Sequence, residues 1–256
     1  MLIGLVFYTY LGYGFLLYLL VRIKRLFVKP TNFDLGFEPH VTLVIPAYNE
    51  EGFIEAKAAN SLQLDYPKDK LRILFITDGS SDNTYTILKD IDGVEVIHDS
   101  RRAGKAAAEN RAMKFVKTPI VVFCDANTQL NTDCIRQLVK HYQIDKVGAV
   151  AGAKKVISEG ADSASGAGEG IYWKYESALK KWDSELYTVV GAAGELISFR
   201  TDLVTELEED TILDDFMQSL RICSQGFKVV YEPKAMAVET ASQNVTEELK
   251  RKVRIA

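Results

Sequence analysis

Residues 2–21 hold no charged side chain across 20 positions, and Arg22, Lys24, Arg25 and Lys29 follow with no acid among them. At about 1.5 Å per residue such a run covers a hydrocarbon layer of about 30 Å. The pattern therefore predicts a transmembrane helix with its basic juxtamembrane segment over 1–29, a linker over 30–40 and a folded domain over 41–256. The positive-inside bias puts that domain in the cytoplasm, beneath the inner or plasma membrane. A signal peptide would carry its cations before the apolar run and a small-residue cleavage site after it, and this chain has neither.

Past the linker, short β-branched runs alternate with helical spacing. Strands are predicted over 41–45, 71–77, 94–97 and 120–124, and helices over 50–62, 82–88, 104–115 and from Thr132 onward. This alternation predicts an α/β domain with a largely parallel sheet. In such sheets ligands bind beyond the carboxyl ends of the strands, which is where Glu50, Asp78 and Asp125 fall. Residues 158–168, S-E-G-A-D-S-A-S-G-A-G, are small and read as a mobile loop. Ile171, Tyr175, Ala178, Leu179 and Trp182 then recur at helical spacing, the stripe of a packed or interfacial helix.

Composition narrows the function. The chain has 256 residues, 47% of them hydrophobic, and a formal charge of −4. It can bury a sizeable core, and it lacks the basic footprint of a nucleic-acid binder. Cys124, Cys134 and Cys223 are odd in number and widely spaced, so they build neither a disulfide framework nor a zinc site and read as buried thiols. His40, His98 and His141 lie far from one another and from any ligand partner. The first strand leads into P-A-Y-N-E-E, where a dinucleotide oxidoreductase would place G-x-G-x-x-G.

On pattern alone V-V-F-C-D-A-N-T, residues 121–128, is a turn closing a buried strand. Five stretches taken together say more: V-I-P-A-Y-N-E-E (44–51), I-T-D-G-S-S-D-N-T (76–84), G-K-A-A-A-E-N-R-A (104–112), C-D-A-N-T (124–128) and T-I-L-D-D-F onward (211–233). In this order and spacing they resemble the motifs of family 2 glycosyltransferases, inverting enzymes of the GT-A fold. With the N-terminal apolar run, the likeness points to the membrane-bound branch that includes cellulose, chitin, hyaluronan and poly-N-acetylglucosamine synthases.

The resemblance implies a nucleotide-sugar donor, a UDP-sugar by expectation, and a glycan or lipid-linked acceptor in cell-surface or exopolysaccharide synthesis. Pro46, Ala47, Tyr48, Glu50 and Asp78 match the nucleotide-binding positions. Lys105, at a predicted helix start, is placed to meet the diphosphate. Asp125 matches the first carboxylate of the D-x-D motif, which holds Mg²⁺ or Mn²⁺, and Asn127 stands where many relatives carry the second. That departure keeps a competing reading alive, a non-catalytic nucleotide-sugar-binding scaffold. Asp215 aligns with the general base and Asp214 with the acid before it, although two acids opening a helix are also what the helix dipole favours. Gly191 and Gly194 fall where relatives bring the acceptor near the donor sugar. The chain stops before the region where processive relatives carry further membrane helices, so a truncated protein is expected.

Overall fold

The structure is a computed structural model that describes residues 2–29, 31–34, 36–157, 164–191, 194–208 and 211–240. It opens on one continuous helical rod: α1 (Leu2–Phe7), a π-helical turn (Tyr8–Gly12) and α2 (Tyr13–Phe27). The alternating region follows as β1 (Val41–Ala47), α3 (Ile54–Leu62), β2 (Leu71–Asp78), α4 (Thr84–Leu88), β3 (Glu95–Asp99), α5 (Lys105–Met113) and β4 (Ile120–Cys124). Beyond it lie β5 (Thr128–Leu130), α6 (Cys134–Val139), β6 (Val147–Ile157), α7 (Ala164–Leu186), β7 (Leu196–Arg200), α8 (Asp214–Ser224) and β8 (Lys228–Thr240).

All strands share one eight-stranded sheet in the order β3-β2-β1-β4-β7-β6-β8-β5. The half that holds β3, β2, β1 and β4 is parallel, as the alternation predicts. The other half is mixed, because β7 runs antiparallel to both β4 and β6, and β5 runs antiparallel to β8. The largely parallel expectation therefore holds for the first four strands only. The antiparallel β6–β7 pair is joined by α7, so a helical connection does not by itself impose the parallel sense.

Strands β1, β2 and β4 are buried on both faces, which explains their unbroken apolar runs. Leu43, Ile45, Ile73, Phe75 and Val122 pack on one side, and Val44, Leu74, Ile76, Val121 and Phe123 on the other. Helix starts come later than spacing suggests: α3 begins at Ile54 and α4 at Thr84. The preceding residues make side-chain-to-backbone bonds in place of helical ones: Glu50 N donates to Thr84 Oγ1, Glu51 N to Asp82 Oδ2 and Asn83 N to Glu51 Oε2. These bonds knit the loops after β1 and β2 into one rim.

Residues 164–168, expected in a loop, belong to α7, and 158–163 lie outside the described residues. Helix α7 is sandwiched between the sheet and the N-terminal rod. Ser177 Oγ meets Tyr231 Oη at 2.9 Å on the sheet side. On the other side Tyr175 Oη donates to the Tyr10 carbonyl and Trp182 packs on Tyr18 with ring centroids 5.3 Å apart. Gly14 is needed for this approach, since a Cβ there would stand 2.6 Å from Tyr175 Oη. Within the rod, the 24 residues Gly4–Phe27 are long and apolar enough to cross a membrane. Its buried stripe is Gly14, Leu17 and Val21.

Candidate active site

The carboxyl ends of β1, β2 and β4 open on a cleft of ≈ 560 Å³. Every site residue singled out in the sequence lines it except Gly191. Gly191 lies next to it, at φ +80°, with its missing Cβ facing the Phe216 ring at 3.8 Å.

Beyond β1, Tyr48 carries the Arg102 guanidinium 3.8 Å over its ring, a cation–π pair lining the cleft. Asp78 is 4% exposed and already holds three donors. Its Oδ2 accepts from the backbone of Ala103 and Gly104 at 3.0 and 2.7 Å, and its Oδ1 from Arg111 at 2.9 Å. Asp78 therefore fixes the loop that delivers Lys105, in addition to lining the pocket. Gly79 lets that loop pass, because at φ +67° a Cβ would meet the Arg102 nitrogen at 2.3 Å.

Lys105 opens α5, as its motif suggests, and ties the two halves of the site together. Its Nζ lies 2.9 Å from Asp125 Oδ1, 3.4 Å from Asp214 Oδ2 and 3.9 Å from Glu109 Oε1. Burial pulls the ammonium down, but Asp125, Glu109 and Asp214 outweigh it and hold Lys105 well above the ordinary lysine range. It stays charged at any working pH.

Two acids move the other way. Burial first, then the charges of Asp125, Asp82 and Glu239, push Glu50 up to about 7. Burial and the adjacent Asp214 push Asp215 up to about 6. A carboxyl raised to that range can take up a proton near neutrality. Gly194 packs directly on it: a Cβ at 194 would stand 2.9 Å from Asp215 Oδ2.

Asp125 offers carboxylate oxygens of the kind a hard divalent cation takes, and such a cation can complete its shell with substrate phosphates. Among the described residues no group of three or more His, Cys, Asp or Glu is arranged to hold a metal ion. The raised Glu50 marks the same spot as one where acids crowd. Asn127, in the second D-x-D position, turns its amide to Glu239 Oε1 at 3.0 Å, and Glu239 also pairs with Lys154 at 2.6 Å.

Three features escaped the sequence reading. Lys57 is fully buried, with Nζ 2.9 Å from both Cys124 Sγ and the Thr128 carbonyl, and no carboxylate pairs with it among the described residues. Glu109 is 7% exposed beneath Asp214 and Lys105, and burial holds its carboxyl well above the usual range. The signal for Lys57 was present: Ile54, Lys57, Ala58 and Ser61 form the inward stripe of α3. Glu239 lies over a hundred residues from Asn127 and had none.

The histidines hold structural posts where described contacts exist: His98 bonds Thr77 and stacks on Tyr85, and His141 meets Glu232 at 2.8 Å. Cys124 and Cys134 are buried thiols as expected, whereas Cys223 is half-exposed.

The sequence pattern of the family described as Glycosyl transferase family 2 matches residues 42–207, well over half of the chain. The protein belongs to that family. Its fold is of the GT-A type. Among curated relatives, beta-monoglucosyldiacylglycerol synthase of Trichormus variabilis is 29% identical over 77% of this chain and 44% of its own length. Poly-beta-1,6-N-acetyl-D-glucosamine synthase of Staphylococcus aureus is 29% identical over 82% of this chain and 54% of its own. The chain thus spans about half the length of the curated relatives it matches. A solved mannosyltransferase from Pyrobaculum calidifontis, in complex with GDP-Man and Mn²⁺, superposes with a TM-score of 0.76 at 25% identity, covering 97% of this chain and 70% of that one.

Proposed function

We propose that this family 2 glycosyltransferase moves a sugar, with inversion, from a UDP-sugar to a hydroxyl of a glycan or lipid-linked acceptor at the cytoplasmic face of a membrane, in cell-surface or exopolysaccharide synthesis. The observation that carries this reading is the gathering of charge in the cleft: Lys105 lies 2.9 Å from Asp125 and 3.4 Å from Asp214, and the next residue, Asp215, is buried and raised to about 6 beside Gly194.

Tyr48, Glu50 and the rim around Asp78 would receive the base and ribose. Lys105 neutralises the diphosphate oxygens, and its bridge to Asp125 and Asp214 fixes where that charge sits. Asp125, with the Asn127 carbonyl, would hold Mg²⁺ or Mn²⁺, which when bound supplies positive charge against the leaving diphosphate. The Mn²⁺ in the mannosyltransferase complex supports a divalent cation here. Asp215 takes the acceptor proton as the oxygen attacks the anomeric carbon; a single displacement inverts that centre.

The test is UDP release by the full-length protein in membranes against a panel of UDP-, GDP- and dTDP-sugars, with and without Mn²⁺. Release from UDP-sugars that Asp215→Asn abolishes supports the reading, and a preference for GDP- or dTDP-sugars overturns the donor assignment. Topology has its own test. Residues 40–256 should resist protease added outside intact cells and become sensitive on lysis.

A further inference from the structure

The inward stripe of α5 is Ala106, Ala108, Glu109 and Ala112, so an acid stands where the pattern otherwise places methyl groups. Glu109 lies one helical turn beyond Lys105, on the same face. Together with Asp214, the first residue of α8, and Asp215 it lines a pocket of ≈ 10 Å³. Phe123, Ile197 and Phe199 line the same pocket. That volume is at the lower limit for a single water, so bulk water does not solvate an anion there.

The described partners of Glu109 are Lys105, whose Nζ lies 3.9 Å from its Oε1, and Asp214, to which its carboxyl is hydrogen-bonded. Two carboxyls make such a bond only if one of them keeps a proton, because an ionised carboxylate has acceptors alone. The charges lead to the same place. One ammonium, that of Lys105, meets Asp125 at 2.9 Å, Asp214 at 3.4 Å and Glu109 at 3.9 Å. It does not balance three anions, and like charges that share a buried site leave one of them protonated. Glu109 is the farthest of the three from Lys105 and the most buried, with its side chain 9% exposed against 13% for Asp214 and 30% for Asp125. Burial raises the Glu109 carboxyl well above its usual range, and Asp214 and Asp125 add to this against the pull of Lys105.

We infer that Glu109 is a positioning residue: its carboxyl keeps a proton, donates a hydrogen bond to Asp214 through it, and so holds Asp214 against Lys105 at the start of the helix that carries Asp215. A neutral acid donating to a carboxylate makes a charge-assisted bond, the strong kind. The shared proton also leaves the Glu109–Asp214 pair with one negative charge. Lys105 then faces two negative charges, not three, before a diphosphate arrives. The effect on turnover rests on the transferase reading above, whereas the proton itself does not.

The test compares the full chain with Glu109→Gln, which keeps a neutral donor, and Glu109→Leu, which keeps the bulk and has none. In alkyl maltoside micelles, which carry no carbonyl group, the infrared band of a protonated carboxyl can be read directly. At a pH above both Glu50, at about 7, and Asp215, at about 6, that band should be present in the unmodified protein and missing from Glu109→Gln. No difference between the two overturns the inference. Turnover is read as UDP release from UDP-glucose and UDP-N-acetylglucosamine. Glu109→Leu should lose about 10- to 100-fold in kcat, the worth of a buried hydrogen bond to a charged group, and Glu109→Gln should restore most of it with donor KM little changed. Equal kcat in the Leu and Gln variants would leave Glu109 no positioning role. Calorimetry with UDP separates charge from shape: UDP affinity should be the same in Glu109→Gln as in the unmodified protein, and a gain of about tenfold or more would mean that an ionised Glu109 had been removed from beside Lys105. Should Glu109→Leu fail to fold, the infrared band and the UDP affinity of Glu109→Gln decide the matter. A protein that releases UDP from no donor refutes the transferase reading, and the band then decides the shared proton on its own.

Discussion

The Nζ of Lys57 lies 2.9 Å from the Sγ of Cys124, with both side chains buried. A cation sealed from water without a carboxylate is costly to keep. Here it reaches under the turn that presents Asp125 and Asn127, touching Cys124 before that turn and Thr128 after it. Lys57 is thus placed to hold the C-D-A-N-T turn in shape. Lys57→Met keeps the volume and removes the charge, which relieves the burial cost while leaving the Thr128 carbonyl without its donor, a loss of about 1–3 kcal/mol. The two effects oppose each other, so the melting temperature should change little, while Mn²⁺-dependent UDP affinity drops roughly tenfold, about 1.4 kcal/mol. Unchanged UDP affinity, or an affinity loss matched by a fall in melting temperature, would reduce Lys57 to a packing residue.

The pH dependence of turnover follows from Asp215. Burial and then Asp214 raise it to about 6, and a general base acts when deprotonated. Turnover should therefore rise with pH through about 6 and level off above it. Asp214→Asn removes a negative neighbour and should move this limb to lower pH. A limb that stays put in Asp214→Asn would mean that the group titrating in turnover is not Asp215.

Gly194 offers a steric check on the same base. The Cβ of Gly194→Ala would stand 2.9 Å from Asp215 Oδ2 and 3.1 Å from its Cγ, so the carboxylate must move. A displacement of this size at a reacting group can cost about 100-fold in rate. UDP binding should survive. Gly52→Ala, with nothing within 4 Å of the added carbon, is the control and should transfer normally.

Much of this architecture was legible because the parallel half of the sheet is encoded locally. Val41–Ala47, Leu71–Asp78 and Ile120–Cys124 are short, apolar and bounded by polar turns, and three parallel strands place Glu50, Asp78 and Asp125 along one edge. The antiparallel half was not legible, since the pairing of β5 with β8 joins Thr128 to Glu239 across a long stretch of chain. For the same reason the Asn127–Glu239–Lys154 contacts could not be foreseen. The small residues at 164–168 misled because small size alone does not exclude a helix, alanine being the strongest helix former. Lys57 hid in plain view, a cation standing in an apolar stripe.

The sharpest contrast lies between Asp125 and Asp215. On the transferase reading Asp125 meets the diphosphate, and its Oδ1 lies 2.9 Å from Lys105. Asp125→Ala should therefore impair metal-dependent donor binding, which calorimetry with UDP and Mn²⁺ reads directly. Asp215 stands beside Gly194 and is not one of the carboxylates that pair with Lys105, so Asp215→Asn should keep UDP and metal binding nearly intact while turnover falls about 100- to 10,000-fold, the usual range for a lost general base. Asp214 belongs to neither class alone: its Oδ2 lies 3.4 Å from Lys105, and its charge raises its neighbour. Asp214→Asn should lose less turnover than Asp215→Asn and weaken donor binding less than Asp125→Ala. If Asp214→Asn abolishes transfer while Asp215→Asn does not, the base is one residue earlier. If all three variants transfer normally in the full-length enzyme, the C-D-A-N-T stretch is a turn and nothing more.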